Sequence, residues 1–334
     1  MTSKRGDQTM LQEFTGRPAD VLKQNEDSAH GGDGWVPRAG TRLDELGTVW
    51  EACGVPAEWY PLRTVLTHRP GGEIDDVPDY RAALWLAPID PAKARDQHDA
   101  FMEVYRSNGV KVIELGEIDA PLPNAYFCRD TFCMTPQGAV ISRMASAARA
   151  GEERWAAAAL AREGVPIVHS VDRDGTFEGA DVVVTNEDLV FVGLGMRSNR
   201  SGVQQVARAF RDAGIAEVIE VEIPYGCGHI DGTINVIDKD LAMVMPTQLS
   251  WVVYENLKRH GFTVIDLPDM AESQGGMALN IVPLRPRAVV TPAGNAKTKA
   301  LLEQHGVEVV EVDVSELMKG GGSCHCMTGV VWRA

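Results

Sequence analysis

Asp181-Val182-Val183-Val184, Val190-Phe191-Val192-Gly193, a helical stretch over 201–213 closed by Gly214, and Glu217-Val218-Ile219-Glu220-Val221: the reading of this run decides the fold. Two short, β-branched segments divided by a polar turn read as a hairpin. The helix behind them stops at a glycine, the residue that accepts the left-handed backbone of a helix C-terminus at least cost. A third strand follows, so the unit is strand, strand, helix, strand.

The same order recurs on both sides at intervals of roughly fifty residues, a period that marks repeated supersecondary units. Before it come Tyr126-Phe127 to Met134, Ala139-Val140-Ile141-Ser142, a helix at 151–164 and Val165-Pro166-Ile167-Val168. Earlier still are Arg63-Thr64-Val65-Leu66-Thr67, Ala82-Ala83-Leu84-Trp85-Leu86, a helix over 91–108 and Val110-Lys111-Val112-Ile113-Glu114-Leu115. After it, Thr233-Ile234-Asn235-Val236-Ile237 and Leu241-Ala242-Met243-Val244-Met245 precede a helix at 249–260 and Thr263-Val264-Ile265-Asp266-Leu267. The last unit has Leu279-Asn280-Ile281-Val282, Ala288-Val289-Val290-Thr291, a helix at 295–305 and Val307-Glu308-Val309-Val310-Glu311. Val330-Val331-Trp332 remains as a terminal strand. Gly109, Gly164, Gly214, Gly261 and Gly306 each separate a helix from the strand that follows it. Alternating strands and helices usually form a doubly wound parallel sheet. A hairpin before every helix favours instead an α/β five-bladed propeller of ββαβ units around a central channel, with a ligand on the axis.

Residues 1–58 read as an N-terminal extension and 59–334 as one catalytic domain. Residues 1–40 are polar and read as a weakly ordered tail or wrapping segment, with Gly31-Gly32-Asp33-Gly34 as a flexible break. Leu43, Leu46, Val49 and Trp50 predict a short amphipathic helix within 41–58. The 334 residues, 44% hydrophobic, suffice for a sizeable core. A net charge of -15 and a pI near 5.0 oppose nucleic acid or an anionic membrane as the main partner and suit a small cationic substrate. No secretory h-region and no run of eighteen apolar residues is present, so a cytoplasmic location is expected. A homo-oligomer is compatible with the sequence. Six cysteines (Cys53, Cys128, Cys133, Cys227, Cys324, Cys326) in so long a chain read as reduced thiols, not as a disulfide framework. Cys324 and Cys326 flank His325, but C-x-C without a second ligand pair is a weak zinc pattern, so neither metal nor cofactor is expected.

Four loops at equivalent ends of the repeats carry polar clusters: Pro123-Asn124-Ala125-Tyr126-Phe127-Cys128-Arg129-Asp130, Phe177-Glu178-Gly179-Ala180-Asp181, Gly228-His229-Ile230-Asp231-Gly232, and Gly320-Gly321-Gly322-Ser323-Cys324-His325-Cys326-Met327-Thr328. Taken singly, each has a plain structural reading as a salt bridge, a turn or a hydrogen-bonded histidine. Together they form a complete set for one chemistry. A thiolate at Cys326 is the nucleophile. His229, which titrates near neutrality, serves as general acid and base. Glu178 holds the imidazole or steers water. Asp130 and Asp231 clamp a planar cation through the paired, charge-assisted hydrogen bonds that guanidinium groups favour.

These stretches resemble the guanidine-modifying superfamily with the pentein fold, home of arginine deiminases, dimethylargininases and glycine amidinotransferases. The C-terminal stretch is similar to its Gly-rich His-Cys-x-Thr signature, which implies Cys326 and not Cys324 as nucleophile. Pro123 to Asp130 resembles the P-N-x-x-F-x-R-D motif of deiminases, His229-Ile230-Asp231 the H-[LI]-D motif and Glu178-Gly179-Ala180-Asp181 the E-G-[GA]-D motif. Val192 to Asn199 resembles a segment that ends in Arg-Thr-Asn in dimethylargininases. The likeness covers about residues 60–333. It implies that Asp130, Asp231 and Asn124 bind substrate, that His229 protonates the leaving amine, and that Arg197, and more loosely Arg149, bind the substrate carboxylate.

The implied reaction is hydrolysis of the guanidinium group of arginine or an arginine derivative through a Cys-bound amidino-thioether. The alternative is an amidinotransferase, in which a second amine replaces water; a non-catalytic pentein binding protein is the third reading. Transferases of the superfamily have F-D-A-[AN] where this chain has Phe177-Glu178-Gly179-Ala180, which favours the hydrolase. His229-Ile230-Asp231-Gly232-Thr233-Ile234-Asn235 is closer to the transferase H-I-D-A-T-F-N. The glutamate sits nearer the chemistry and carries more weight. The intact nucleophile, histidine and carboxylates oppose the binding-protein reading.

Overall fold

The structure is a computed structural model and describes residues 30–32 and 34–334. The expectation for residues 1–29 lies outside the described residues. The described residues divide into two compact units, those up to Asp44 and those from Glu45 to Ala334. In the first, Thr41 donates through both its backbone N and Oγ1 to Asp44 Oδ2, opening a single helical turn, Arg42–Glu45. The helix expected within 41–58 is confined to that turn. Gly47, at φ +80°, receives the chain in a left-handed conformation, and Gly47 N–H then bonds back to Trp50 O. Residues 45–58 pack inside the second unit: Gly54 N donates to Val331 O, and Glu58 N to Val184 O.

The second unit contains five three-stranded sheets. In chain order the first elements are β1 (Leu62–Thr67), α1 (Pro91–Ser107) and β2 (Lys111–Glu114). Next come β3 (Phe132–Thr135), β4 (Gly138–Ile141), α2 (Glu152–Arg162) and β5 (Ile167–Ser170), then β6 (Val182–Val184), β7 (Leu189–Leu194), α3 (Arg200–Asp212) and β8 (Glu217–Glu222). The fourth set is β9 (Ile234–Asp238), β10 (Leu241–Val244), α4 (Trp251–Arg259) and β11 (Thr263–Asp266). A short helix α5 (Met270–Gly276) leads to β12 (Val282–Arg285), β13 (Ala288–Pro292), α6 (Ala296–Gln304) and β14 (Glu308–Val312), and β15 (Gly329–Arg333) ends the chain described.

In each sheet an inner strand pairs antiparallel with a middle one, which pairs parallel with an outer strand reached through the helix. The antiparallel step needs only a turn; the parallel step needs a crossover, and the helix supplies it. The five crossover helices α1, α2, α3, α4 and α6 end on the glycines expected, with φ between +73° and +99°. Helix α3 shows why such helices fold here. Asn199 Oδ1 caps its start by accepting from Gly202 N, and Val203, Val206, Ala207 and Phe210 form one buried stripe. The middle strands are buried on both faces; β7, for example, is buried from Leu189 to Gly193.

Three expected strands differ. The strand expected from Tyr126 begins only at Phe132, because Cys128–Thr131 forms a 3₁₀ turn. Ala82–Leu86 is a turn: Asp79 Oδ1 accepts from Arg81 N and Ala82 N, and Leu84 takes φ +67°. The inner-strand position of the first sheet is filled instead by β15, which pairs antiparallel with β1. The chain thereby closes a ring: β15 lies beside β3, β3 beside the turn into β6, β6 beside the turn into β9, β9 beside β12, and β12 beside β1. In the last unit the strand starts at Val282 rather than Leu279, because the backbone at Met277–Asn280 closes a turn first, Asn280 N donating to Met277 O. A small cavity lined by Glu58, Val183, Asp231, Asn235, Pro283 and His325 lies among the inner strands. No helix among the described residues is long and apolar enough to cross a membrane.

Candidate active site

The segments that enter the inner strands meet one another: the turn before β3 touches the turn before β6 and β15, and the turn before β6 touches the turn before β9. Asp130 precedes β3, Glu178 precedes β6, His229 and Asp231 precede β9, and Cys326 precedes β15. Short 3₁₀ turns set three of these segments, at Cys128–Thr131, Gly179–Asp181 and Ile230–Gly232. Gly179 is required at its position: a Cβ there would stand 2.0 Å from Phe132 O and 2.5 Å from Arg129 O. The turn carrying Cys326 is closed by Met327 N→Ser323 O and Thr328 N→His325 O, and Thr328 Oγ1 accepts or donates at 2.6 Å with the buried Tyr105 hydroxyl. Gly322 lets that turn press on the next segment, since a Cβ would meet Phe127 Cε1 at 2.6 Å and Cys326 Cβ at 2.9 Å. Arg129 N donates to Cys326 O, fixing the two segments together.

His229 and Glu178 form a direct pair: Nε2–H donates to Glu178 Oε2 at 2.8 Å. Glu178 is buried and also accepts from Ala145 N at 3.2 Å and from Arg197 Nη1 at 3.2 Å. Burial opposes its ionisation, but the bonded imidazole and the guanidiniums of Arg149 and Arg197 outweigh it and bring the carboxyl down to about 2. Burial likewise opposes charge on His229. The carboxylates of Asp130, Asp181 and Glu178 prevail and raise it to about 10, so it is an imidazolium at neutral pH. Asp181, the last residue of the E-G-A-D motif, faces Ser198 and accepts from Ile230 N at 3.1 Å, tying the histidine's turn to the glutamate's.

Asp130 and Asp231 flank the thiol. Burial, then the charges of Asp231 and Asp130, push Cys326 up to about 12, against a hydrogen bond from Asn280. Asp231 accepts from His325 Nδ1–H at 2.8 Å; burial works against its ionisation, and that bond together with the positive groups around it holds it below the usual range. Asp130 Oδ2 accepts from Arg149 Nη1 at 2.6 Å, while Asp130 Oδ1 is buried and has no hydrogen-bond partner. Asp130, Glu178 and His229 each offer a ligand atom, all within 4.8 Å of one another, the one such group of three among the described residues. Two guanidiniums, Arg149 and Arg197, already supply the positive charge that these carboxylates face.

The sequence-predicted residues are thus gathered, with two differences in detail. Asn124 spends its amide on the loop over 83–85, Oδ1 accepting from Trp85 Nε1 at 2.8 Å and Nδ2 donating to Ala83 O at 2.7 Å. Arg149 is engaged on every side: Glu152 takes Nε and Nη2, Asp130 takes Nη1, and the guanidinium lies 5.9 Å over the Phe127 ring. Two residues outside the motifs, Asn280 and Glu152, also belong here, as does His325, which lies in the His-Cys-x-Thr motif and has no role implied by it. Asn280 bonds to the Cys326 sulfur, His325 to Asp231, and Glu152 to Arg149. Aligning the five units on their inner strands would have found Asn280, which stands just before β12 as Asp130 stands before β3.

Comparison with known proteins agrees with this geometry. Residues 87–333 match the profile of the family described as "N,N dimethylarginine dimethylhydrolase, eukaryotic". An uncharacterised protein of Aeropyrum pernix is 32% identical over 273 residues, covering 79% of this chain and 93% of that one. An arginine deiminase of Staphylococcus epidermidis is 25% identical, covering 82% of this chain and 96% of its own length. Among solved structures, a mutant DDAH from Pseudomonas aeruginosa complexed with citrulline shares the fold with a TM-score of 0.67 at 22% identity, over 82% of this chain and all of that one. The five-unit ring, the converging motifs and the family match assign the chain to the guanidine-modifying pentein superfamily, and within it to the N,N-dimethylarginine dimethylhydrolase family.

Proposed function

We propose that the protein is a guanidine-modifying hydrolase that acts on arginine or an arginine derivative through a covalent bond to Cys326. The observation that carries this reading is the buried Asp130 Oδ1, without a partner, beside a thiol that burial and the charges of two carboxylates keep protonated. A planar cation seated against Asp130 and Asp231 would complete the first and relieve the second. Its positive charge offsets the two aspartates, and the thiol proton leaves to solvent as the substrate binds.

The thiolate then adds to the guanidinium carbon. His229, an imidazolium at the outset with Nε2–H held by Glu178, gives its Nδ1 proton to the departing amine, whose bond to carbon breaks; an amidino-thioether remains. Neutral His229 takes a proton from water, and the hydroxide adds to the same carbon. Collapse of that adduct expels the Cys326 thiolate and leaves a ureido product. Glu178 stabilises the imidazolium at both ends of the cycle. Arg197, partly exposed and bonded to Glu178 through Nη1, would bind the carboxylate at a substrate's far end.

The test is incubation with arginine, methylated arginines and other guanidino compounds, with and without glycine or lysine as acceptor. A ureido product plus ammonia or an alkylamine, formed without acceptor and absent in Cys326→Ser, is expected. An amidino group transferred only when an acceptor is present would replace hydrolysis by transfer. Undiminished turnover in Cys326→Ser would sink the mechanism.

A further inference from the structure

Four of the five segments that enter an inner strand supply the residues of the proposed reaction. The fifth, between β11 and β12, supplies Asn280, which that reaction leaves without a role. Its carboxamide is held in one orientation. Oδ1 accepts two backbone donors, His325 N at 2.6 Å and Cys326 N at 3.2 Å, so the NH₂ end has to face the other way. There it donates to Cys326 Sγ at 3.1 Å. The Asn280 backbone is itself fixed by the turn in which Asn280 N donates to Met277 O, with Met277 in the left-handed region at φ +48°.

From this geometry we propose that Asn280 is a further catalytic residue, which aims the sulfur of Cys326 and stabilises its thiolate by hydrogen-bond donation. The proposal rests on Cys326 as the reacting thiol. The physical reason is an asymmetry between the two states of sulfur: an N–H bonded to a thiolate is charge-assisted, whereas one bonded to a thiol is weak. The charged groups that face Sγ are the carboxylates of Asp231 and Asp130, both of which disfavour the thiolate. Cys324 and Tyr126 are the buried neutral titratable groups electrostatically coupled to Cys326. The Asn280 donor is therefore set against two anions. Its carbonyl oxygen meanwhile braces the backbone on both sides of the bond between His325 and Cys326.

These two duties separate experimentally. Asn280→Asp keeps an oxygen for the two backbone donors but removes the donor to sulfur, whereas Asn280→Ala removes both. The measurement is alkylation of Cys326 by iodoacetamide as a function of pH, read at that peptide by mass spectrometry, with the unfolding transition of each variant recorded alongside. Both variants should alkylate at least about tenfold more slowly at pH 8, with the midpoint of the profile moved to higher pH. A folded Asn280→Asp protein with the wild-type rate and midpoint would overturn the proposal, since bracing alone would then explain the contact. Where Asn280→Ala does not fold, Asn280→Asp decides. Turnover is a separate arm: kcat should fall with KM little changed. A wild-type protein inert toward every guanidino compound would refute the hydrolase reading, while the alkylation profile still tests Asn280.

Discussion

Replacing Glu178 by glutamine should lower the pH at which His229 gives up its charge, and the size of the effect follows from the site. His229 is raised from 6.5 to about 10 by three carboxylates acting against burial. At about 1.4 kcal/mol for each pH unit, the displacement is worth on the order of 5 kcal/mol. Glu178 is the hydrogen-bonded member of the three, at 2.8 Å. Removing its charge while keeping its shape should cancel roughly 2 kcal/mol of that sum, so the ring should titrate roughly between 8 and 9. A histidine raised in the folded state contributes stability that is complete below its unfolded value near 6.5 and is lost as pH climbs through the folded one. The wild-type protein therefore loses this contribution between about pH 6.5 and 10, and Glu178→Gln should lose less over the same window. Ring-nitrogen NMR of ¹⁵N-histidine protein, with His229→Gln to assign the signal, gives the titration. Urea unfolding of both proteins at pH 6.5 and pH 10 gives the stability difference, with other titrating groups cancelling between them. A His229 ring that titrates near 6.5 in the wild type, or identically in both proteins, would refute the reasoning.

Other parts of the ring make equally definite predictions. Arg129→Ala strands the buried Glu58, which accepts from Arg129 Nη2 at 3.1 Å, and should cost about 3–5 kcal/mol in denaturant unfolding; a loss below about 1 kcal/mol would contradict the ion pair's role. Gly179→Ala forces a methyl onto Phe132 O and should give protein that fails to unfold cooperatively; a wild-type transition would show that the turn yields. Asp130→Asn should raise KM for a cationic guanidino substrate by about tenfold or more, because it replaces one charge-assisted partner by a neutral one; an unchanged KM would move substrate binding elsewhere. Asp181 is pushed up to about 7 by burial, so between about pH 4 and 7 the folded state holds a proton that the unfolded state has lost, and stability should decline with rising pH there. Asp181→Asn should flatten that slope in thermal unfolding.

Much of this architecture was legible because it is local. Hairpin, helix and glycine cap recur with a fixed period, and the side chains that repeat do so for packing reasons that act within each unit. What escaped was non-local. Ala82–Leu86 has a strand's composition, but the edge it would occupy is taken by β15 from the far end of the chain. Leu43, Leu46, Val49 and Trp50 have helical spacing, yet Gly47 breaks the run and Gly54 pairs its backbone with Val331 and Arg333. In the site, residues whose chemistry is unusual for their type declared themselves: Cys326, His229, and the carboxylates. Asn280 did not, because an asparagine before a strand is ordinary, and only the folded ring brings it to the sulfur. Asn124 and Arg149 carried the right residue type, but their polar atoms are spent on Trp85, Ala83, Asp130 and Glu152, contacts no motif spells out.

The pairing of β15 with β1 has a consequence for how activity is acquired. Arg333 Nη1 donates to Tyr60 O across a separation of 273 residues, so this sheet is the slowest kind of contact to search for. Cys326 sits just before that same strand, and its backbone oxygen accepts from Arg129 N, which precedes β3 in the neighbouring unit. A partly assembled chain thus holds a histidine and acids but no aimed sulfur. The topology ties the placing of the Cys326 sulfur against Asn280 to the closing of the ring.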